Sequence, residues 1–479
     1  MKRLIALLLA LLLLCGCAPE PVPTETAAPT TAAATTAETA PPAELSDLTE
    51  GFVLLYEQAD FKDRRGTLIS METLLAAPEE ARMPRTHFYD ELFPGDAALW
   101  LELLDCVLAR GCQGFSVPEG TLPAIGTTQR RALEFTYRID GGKVLTMDRD
   151  GATTVWYDCA KHDTMEKFSL GLAAARELAA QAPRGDDWET ALWIMDILAD
   201  RVTYGDRVTY YNKRGHMLFD ALVDGDTVCS GYSAGMYYLC SLCGLECLEV
   251  TGLARSMEKA GGLDDHVWDL VEIRGKWYCY DPTWYDCDTR DVAPVFCGLS
   301  EEVLQVVGSH TRTGEYTDET MLPACDACFD PVTVWNDSPE GALRTWLLYA
   351  SFAAADPSYL LLYAGLMTPE TGFTVSADNR EAVVDTPYAD YAAWAERIMG
   401  CDTLGPVRFS ETEDGKLLLR KAEAEGIDGS GMKLVSVSAE ADGSFTADLG
   451  AASAAFTVSQ NAEGLYRVET ITLTPKESS

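Results

Sequence analysis

Two strand-like runs, residues 266–273 and 276–281, lie in the middle of the chain and strongly limit how it can fold. Both runs are rich in aromatic and β-branched residues, and only Arg274-Gly275 separates them. Two such runs joined by a two-residue loop predict an antiparallel hairpin. If the strands pair directly from that turn, Asp281 lies opposite Trp268.

This hairpin would bring a histidine and an aspartate to the same face. Opposite residues of paired strands share a face, and so do residues two apart on one strand. His266 and Asp281 then lie diagonally, close enough for the carboxylate to orient the imidazole. A three-residue loop would place His266 and Asp281 on opposite faces. In addition, a strand histidine beside a tryptophan often has only a packing role. The strand pattern alone therefore leaves both a catalytic and a packing interpretation open.

A cysteine upstream of the hairpin falls at a predicted helix start. Polar residues and a glycine in 227–233 precede an apolar helical stripe that ends at Cys243. The unpaired N–H groups and the dipole of a helix N-terminus stabilise a thiolate, so this position suits Cys229 to nucleophilic chemistry. It requires a base and an orienting group within reach. The alternative is a buried structural cysteine, the commoner role in a chain with 15 cysteines.

Taken together, these segments resemble the transglutaminase-like superfamily, whose fold is papain-like. The resemblance rests on three motifs in order: Cys-x-Gly-Tyr opening a helix, His-x-Trp-Asp, and Trp-Tyr-x-x-Asp-Pro-Thr-Trp. It covers residues 204–288 firmly and is vaguer back to residue 46. The resemblance implies that Cys229 is the nucleophile, that His266 is the general base and acid, and that Asp281 holds the imidazole.

The chemistry that this resemblance implies is acyl transfer from an amide to the thiolate and then to water or an amine. Water would give hydrolysis and an amine would give a cross-link. Because bacterial members of the superfamily include proteases, we expect a peptidase or amidase that acts on a protein or peptide of the cell envelope. The alternative is a non-catalytic envelope lipoprotein that binds or scaffolds a partner. Three departures from the family pattern, at Ser233, Val267 and Tyr285, remove no group that the triad needs.

The remaining histidines and cysteines predict neither a metal site nor a cofactor. Four histidines stand in polar surroundings and are predicted to be solvated: His87, His162, His216 and His310. Cys240 and Cys243 fall on the inward stripe of the predicted helix, which favours core packing over zinc. The pair Cys325 and Cys328 lacks a second pair at zinc-ligand spacing. The chain has no phosphate loop and no dinucleotide fingerprint.

The chain begins with the features of an exported lipoprotein. A positively charged start precedes the apolar run 4–14, which is too short to span a bilayer. The sequence Leu-Cys-Gly-Cys at 14–17 resembles a bacterial lipobox, so residues 1–16 are predicted to be a signal peptide and Cys17 to carry lipid. Two acyl chains would give a stable membrane anchor, which predicts an extracytoplasmic, lipid-anchored protein. The alternative is an ordinary signal peptide that contains cysteine.

Composition limits the partners of the exported part. Residues 17–45 are almost entirely Ala, Thr, Pro and Glu. Because such a segment can bury too little apolar surface to offset the loss of conformational entropy on folding, it is predicted to be a disordered tether. The net charge of −38 argues against nucleic acid and against docking on anionic lipid by charge. Once Cys15, Cys17 and Cys229 are set aside, an even number of cysteines remains, which permits disulfides, although several suit buried free thiols.

The order of predicted elements indicates an α+β protein with several domains. An α/β N-terminal region (46–163) would precede a papain-like transglutaminase core (164–316) and a separate C-terminal α+β domain (335–479). The last domain opens with a helix at Ser338-Pro339 and continues as hairpins. Its turns are predicted at three dipeptides: Asp414-Gly415, Asp442-Gly443 and Glu463-Gly464. This arrangement faintly resembles the NTF2-like cone fold.

Three helices and one strand are predicted before the central motifs. The strand covers 51–56, and the helices cover 96–110, 165–181 and a segment that opens at Asp186. Glu189 follows Asp186 at the spacing of a capping box. Apolar residues recur every three or four positions after it, which is typical of a helix that packs on a core.

Overall fold

The structure is a computed structural model of the chain. It describes residues 42–57, 65–137, 143–158, 164–205, 217–256, 261–286, 293–318, 321–368, 370–377, 380–398, 403–404, 407–421 and 432–476. The predicted signal peptide, Cys17 and most of the predicted tether lie outside these residues. The described residues fall into two compact units that divide between Glu249 and Val250, here called the first unit and the second unit.

The first unit contains an antiparallel sheet with the strand order β1-β3-β2-β4-β6-β5. Its strands are β1 (Ala43–Glu44), β2 (Phe52–Tyr56), β3 (Arg65–Ser70), β4 (Gly114–Pro118), β5 (Val144–Arg149) and β6 (Ala152–Tyr157). β2 confirms the strand predicted over 51–56, and its Val53 and Leu54 are fully buried. The last part of the predicted tether (17–45) contains β1, whose two residues pair with β3 and are therefore part of the sheet.

Helices make up most of the remaining described part of the first unit. They are α1 (Met71–Leu75), α2 (Ala98–Ala109), α3 (Thr127–Thr136), α4 (Thr164–Ala179), α5 (Asp187–Arg201), α6 (Met217–Phe219) and α7 (Cys229–Cys243). The helices predicted over 96–110, over 165–181 and from Asp186 are confirmed as α2, α4 and α5. The side chain of Asp186 caps α5 by accepting from the N–H of Glu189. Two short parallel strands, β7 (Thr203–Tyr204) and β8 (Asp226–Thr227), lead into α7.

The second unit begins with a sheet ordered β11-β10-β9-β12. Its strands are β9 (Cys247–Arg255, whose first three residues precede the division), β10 (Leu263–Ile273), β11 (Lys276–Tyr280) and β12 (Thr311–Arg312). β10 and β11 pair from Ile273 with Lys276 back to Asp269 with Tyr280, which confirms the predicted register. Arg274 and Gly275 have φ angles of 51° and 80°, the positive values that a tight two-residue hairpin turn requires.

The rest of the second unit combines helices with two further antiparallel sheets. The helices are α8 (Pro282–Tyr285), α9 (Glu301–Gly308), α10 (Pro331–Trp335), α11 (Pro339–Ala355), α12 (Pro357–Tyr363) and α13 (Tyr388–Ile398). One sheet, ordered β13-β14-β17-β16-β15, contains β13 (Phe373–Val375), β14 (Glu381–Pro387), β15 (Thr403–Leu404), β16 (Val407–Glu411) and β17 (Lys416–Lys421). The other runs in sequence order through β18 (Met432–Ala439), β19 (Phe445–Gly450), β20 (Ala452–Gln460) and β21 (Tyr466–Pro475).

The predicted hairpins and the predicted helix at Ser338-Pro339 are present. Each predicted turn dipeptide joins two paired strands, and Ser338 caps α11 by accepting from the N–H of Gly341. The hairpins belong to two separate sheets. The sequence did not predict this division, because a turn signal shows that two strands pair but not which hairpins share a sheet. The α+β fold class is confirmed, whereas the NTF2-like arrangement and the exact domain limits stay predictions. None of the described helices has the length and apolarity that crossing a membrane requires.

Candidate functional site

Cys229 is the first residue of α7, as the sequence predicted. The preceding residue, Val228, is extended and provides no side-chain cap, so the first turn of the helix is not closed by a hydroxyl or carboxylate. The Cys229 residue is 8% exposed. The thiol therefore lies at the N-terminal, positive end of a 15-residue helix.

Two neighbours in the sequence fix where this helix begins. A Cβ atom on Gly231 would lie 2.1 Å from Oγ1 of Thr227, so only glycine fits at that position. The fully buried Tyr232 donates its hydroxyl hydrogen to the carbonyl of Val202, at 3.1 Å. The Gly-Tyr part of the Cys-x-Gly-Tyr motif thus has a packing reason that is separate from chemistry.

His266 and Asp281 form a buried hydrogen-bonded pair in the second unit. Nε2 of His266, on β10, lies 2.8 Å from Oδ2 of Asp281, directly after β11. His266 is 7% exposed and Asp281 is fully buried. A carboxylate can only accept, so Nε2 carries the hydrogen and Nδ1 becomes the basic nitrogen of the ring. The predicted diagonal contact is present because the two-residue turn sets the register.

Asp281 also holds the backbone around it. Its Oδ1 atom accepts from the N–H of Trp284 at 3.0 Å and so caps the short helix α8, which begins at Pro282. Its own N–H donates to the carbonyl of Phe296 at 3.0 Å. The carboxylate therefore has a structural role at the end of β11 in addition to its contact with His266.

The sequence-based prediction for His310 is wrong. Instead of being solvated, His310 is 4% exposed, and its Nε2 atom lies 2.8 Å from the same Oδ2 of Asp281. Its polar neighbours in sequence misled the prediction, because Thr311 and Arg312 pair with β9 and carry the histidine into the interior. A partner 29 residues away in the chain leaves no local pattern that sequence reasoning could have used. His87 is exposed as expected, and His162 and His216 lie outside the described residues.

Contacts within this cluster shift the pKa values of Asp281 and His310. Burial alone would raise the pKa of Asp281, but the charges and hydrogen bonds of His266 and His310 outweigh it and hold that pKa well below its usual range. Burial is the main cause that lowers the pKa of His310, the charge of His266 lowers it further, and together they outweigh the opposing effect of Asp281. At neutral pH we therefore expect a charged Asp281 and a neutral His310 that donates through Nε2.

Two tryptophan rings pack against the two histidines. The ring of Trp268 stacks on His266 at 6.3 Å between centroids and meets His310 edge-on at 5.2 Å. Trp284 approaches His310 at 5.6 Å. A Cβ atom on Gly252 would lie 2.6 Å from Cη2 of Trp268, so the neighbouring strand needs a glycine to admit this ring. The surroundings are apolar, which strengthens the hydrogen bonds between the charged and neutral groups.

His266, Asp281 and His310 are also the described residues whose ligand atoms could converge on a metal ion. The contacts of 2.8 Å between Oδ2 and each Nε2 are hydrogen-bond lengths. A tetrahedral zinc ion with bonds of about 2.0–2.1 Å would hold such donors more than about 3 Å apart and would need a fourth ligand. The arrangement suits shared protons better than a metal, and the predicted lack of a metal stays a prediction.

None of the described cysteines forms a disulfide. Cys240 is fully buried in α7 as predicted, whereas Cys243 at the helix end is partly exposed. Burial raises the pKa of Cys243 to about 11 and also raises the pKa of Cys328, the other partly exposed thiol. Exposure alone therefore does not make a reactive thiol in this protein.

Comparison with known proteins identifies the class of this region. Residues 173–282 match the family model of the transglutaminase-like superfamily, and this match includes Cys229, His266 and Asp281. The chain thus contains a region that matches a transglutaminase-like domain. Human Kyphoscoliosis peptidase (Homo sapiens) is 31% identical over 70 residues, which are 14% of this chain and 11% of that protein. The mouse protein of the same name (Mus musculus) is 30% identical over 70 residues, with the same coverage. The chain thus spans about a tenth of the length of these relatives.

Two solved structures share a low overall similarity with the chain. One is described as a TGase, with a TM-score of 0.21 and 14% identity over 36% of this chain and 51% of that one. The other is a candidate cysteine protease from Cytophaga hutchinsonii, with a TM-score of 0.22 and 14% identity over 38% of this chain and 69% of that one.

Proposed function

We propose that this protein is a cysteine enzyme that acts on amide bonds through an acyl-enzyme, with Cys229 as nucleophile, His266 as general base and acid, and Asp281 as the residue that orients the imidazole. The observation that carries the proposal is the hydrogen bond of 2.8 Å between His266 and Asp281. It lies inside one transglutaminase-like match that also contains the cysteine at the start of α7.

Each residue has a defined step in this proposal. The thiolate of Cys229 attacks the amide carbonyl, and the imidazolium of His266 gives its proton to the leaving amine. The products of this step are a thioester and a free amine. Nδ1 of His266 then takes a proton from the incoming water or amine, which attacks the thioester and releases the thiolate. Asp281 keeps the hydrogen on Nε2 and stabilises the imidazolium while it exists.

Water is the proposed acyl acceptor, which makes the protein a peptidase or amidase. The relatives that match over 70 residues are named peptidases, and this favours hydrolysis over cross-linking. The proposed substrate is a protein or peptide of the cell envelope. This follows from the lipobox-like start of the sequence, which supports export and a lipid anchor at Cys17.

A substrate screen tests this function. The full-length chain and its Cys229→Ala variant would be incubated with the same library of envelope peptides, and new termini, amines and cross-links would be identified by mass spectrometry. We expect cleavage products that the variant does not form. Equal products from both proteins would refute the proposal. A complete lack of products, together with a Cys229 thiol that shows no raised reactivity, would favour the non-catalytic binding lipoprotein.

The reactivity of the thiols gives a second test that needs no substrate. Cys243 and Cys328 are more exposed than Cys229, so simple access predicts that iodoacetamide labels those two first. An activated nucleophile predicts the opposite order near neutral pH. Peptide mapping after short labelling times measures that order directly. Labelling of Cys229 after Cys243 and Cys328 would contradict an activated thiolate.

A further inference from the structure

We infer that His310 is a positioning residue of the proposed cysteine site: its Nε2–H holds the carboxylate of Asp281 and takes up part of its hydrogen-bonding capacity. The inference rests on the proposed function, because it assigns His310 a role through Asp281 and His266. Neither the sequence motifs nor the transglutaminase-like match, which ends at residue 282, includes this histidine.

The first observation is that one carboxylate oxygen serves two imidazoles. Oδ2 of Asp281 lies 2.8 Å from Nε2 of His266 and 2.8 Å from Nε2 of His310. The two rings stand 5.1 Å apart at 72° to each other, so they approach the oxygen from different directions. The other oxygen, Oδ1, accepts from the backbone N–H of Trp284. Three donors therefore fix the plane and the rotation of the carboxylate.

The second observation is that the chain makes specific room for this ring. A Cβ atom on Gly308 would lie 2.3 Å from both Cε1 and Nδ1 of His310. Ser309, between them, has a φ angle of 57°, which turns the chain back at the end of α9. Trp268 and Trp284 contact the ring on other sides. A histidine so closely fitted presents its Nε2–H to Asp281 in one orientation.

The third observation concerns charge. Burial lowers the pKa of His310, so this ring is neutral at neutral pH and donates a hydrogen bond without bringing a positive charge. The charged side chains that line the same cleft as His310 are Glu301, Glu302 and Arg312, and Tyr316 is a further titratable residue of its lining. Glu301 and Arg312 form an ion pair with each other, which reduces their effect on the ring.

These contacts have a defined consequence for the base. A carboxylate that already accepts from His310 attracts the Nε2–H of His266 less strongly than one that accepts from His266 alone. The imidazolium of His266 is then less stabilised, and Nδ1 gives up its proton at a lower pH. His310 thus fixes Asp281 for His266 and limits how tightly His266 retains its second proton.

The test uses three substitutions at one position in the full-length chain. His310→Leu removes the donor and keeps most of the volume. His310→Gln restores an N–H, because the glutamine Nε2 and the histidine Nε2 are separated from Cβ by the same number of bonds. His310→Asn is the matched control, because its amide ends one bond too early to reach the oxygen.

Two readouts follow the base and do not depend on a substrate. One is the pH profile of Cys229 alkylation, and the other is the titration of His266 by NMR of ¹⁵N-labelled histidine, with His266→Ala to assign the signal. The loss of one charge-assisted hydrogen bond should move both midpoints upwards by about one pH unit in the Leu and Asn variants. The Gln variant should return close to wild type.

The outcomes separate the two claims. If His266→Ala leaves the Cys229 profile unchanged, the proposed function fails. If His266→Ala changes the profile but His310→Leu moves neither midpoint in folded protein, the inference alone fails. A structural role would lower the melting temperature of all three variants without moving the midpoints, and it would overturn the inference. So would a tightly bound metal ion in the wild-type protein that His310→Leu loses.

Discussion

Asp281→Asn is the substitution that best separates the structural role of this carboxylate from its proposed chemical role. Asparagine has the same shape and is as good a helix cap as aspartate, so its oxygen can still accept from the N–H of Trp284. Its amide nitrogen, however, donates and cannot accept from His266 and His310. Both rings must then move their hydrogen from Nε2 to Nδ1, which leaves His266 without a basic Nδ1.

The expected magnitudes differ greatly between stability and rate. The retautomerised rings can accept from the new amide, so the variant should lose only about 1–3 kcal/mol of unfolding free energy. The wrong tautomer of the base should lower the rate of acyl-enzyme formation by about 10⁴-fold, as it does in serine triads. Asp281→Ala is the control, because it also loses the cap of α8 and should cost about 1 kcal/mol more than Asn.

The pH dependence of this difference has a defined sign. The pKa of Asp281 is held below its usual range, so its charge stabilises the folded state above the unfolded pKa of about 4. That contribution is lost as the pH falls from there through the folded pKa. The contribution of the Asp281 charge to the difference in unfolding free energy between wild type and Asp281→Asn should therefore be fully present above about pH 5 and shrink below about pH 4.

The assay measures both properties on one preparation. Denaturant titrations at several pH values give the unfolding free energies, and burst-phase mass spectrometry gives the amount of acyl-enzyme per folded molecule. A destabilised Asp281→Asn protein that acylates at the normal rate per folded molecule would refute the assigned role. It would show instead that Asp281 serves only to hold the end of β11 and the start of α8.

Three further predictions test other parts of the interpretation. Cys229→Ala should abolish acyl-enzyme formation and change the unfolding free energy by no more than about 1 kcal/mol, since it removes one sulfur atom; a large loss of stability in a denaturant titration would indicate a structural cysteine. Gly231→Ala should cost about 1–3 kcal/mol by the same measurement, because the new Cβ would lie 2.1 Å from Oγ1 of Thr227; a variant as stable as wild type would contradict that packing. Cys17→Ala should shift the protein from the membrane fraction to a soluble or uncleaved form, and an unchanged fractionation would count against the lipid anchor.

Features that depend on neighbours in the chain could be predicted from the sequence. The Arg274-Gly275 turn set the register of β10 and β11, and the register in turn placed His266 beside Asp281. Polar residues and a glycine before an apolar stripe located the start of α7 at Cys229. These signals are local, because turn geometry and helix capping involve residues only a few positions apart.

The contacts between distant elements could not be predicted and became visible in the folded chain. The sequence pattern predicted that His310 is solvated, but the pairing of Thr311 and Arg312 with β9 buries it against Asp281. The C-terminal hairpins were visible as turns, but their division into two sheets was not. Contacts between residues far apart in the chain depend on which apolar faces cover each other, and a single sequence does not record that choice.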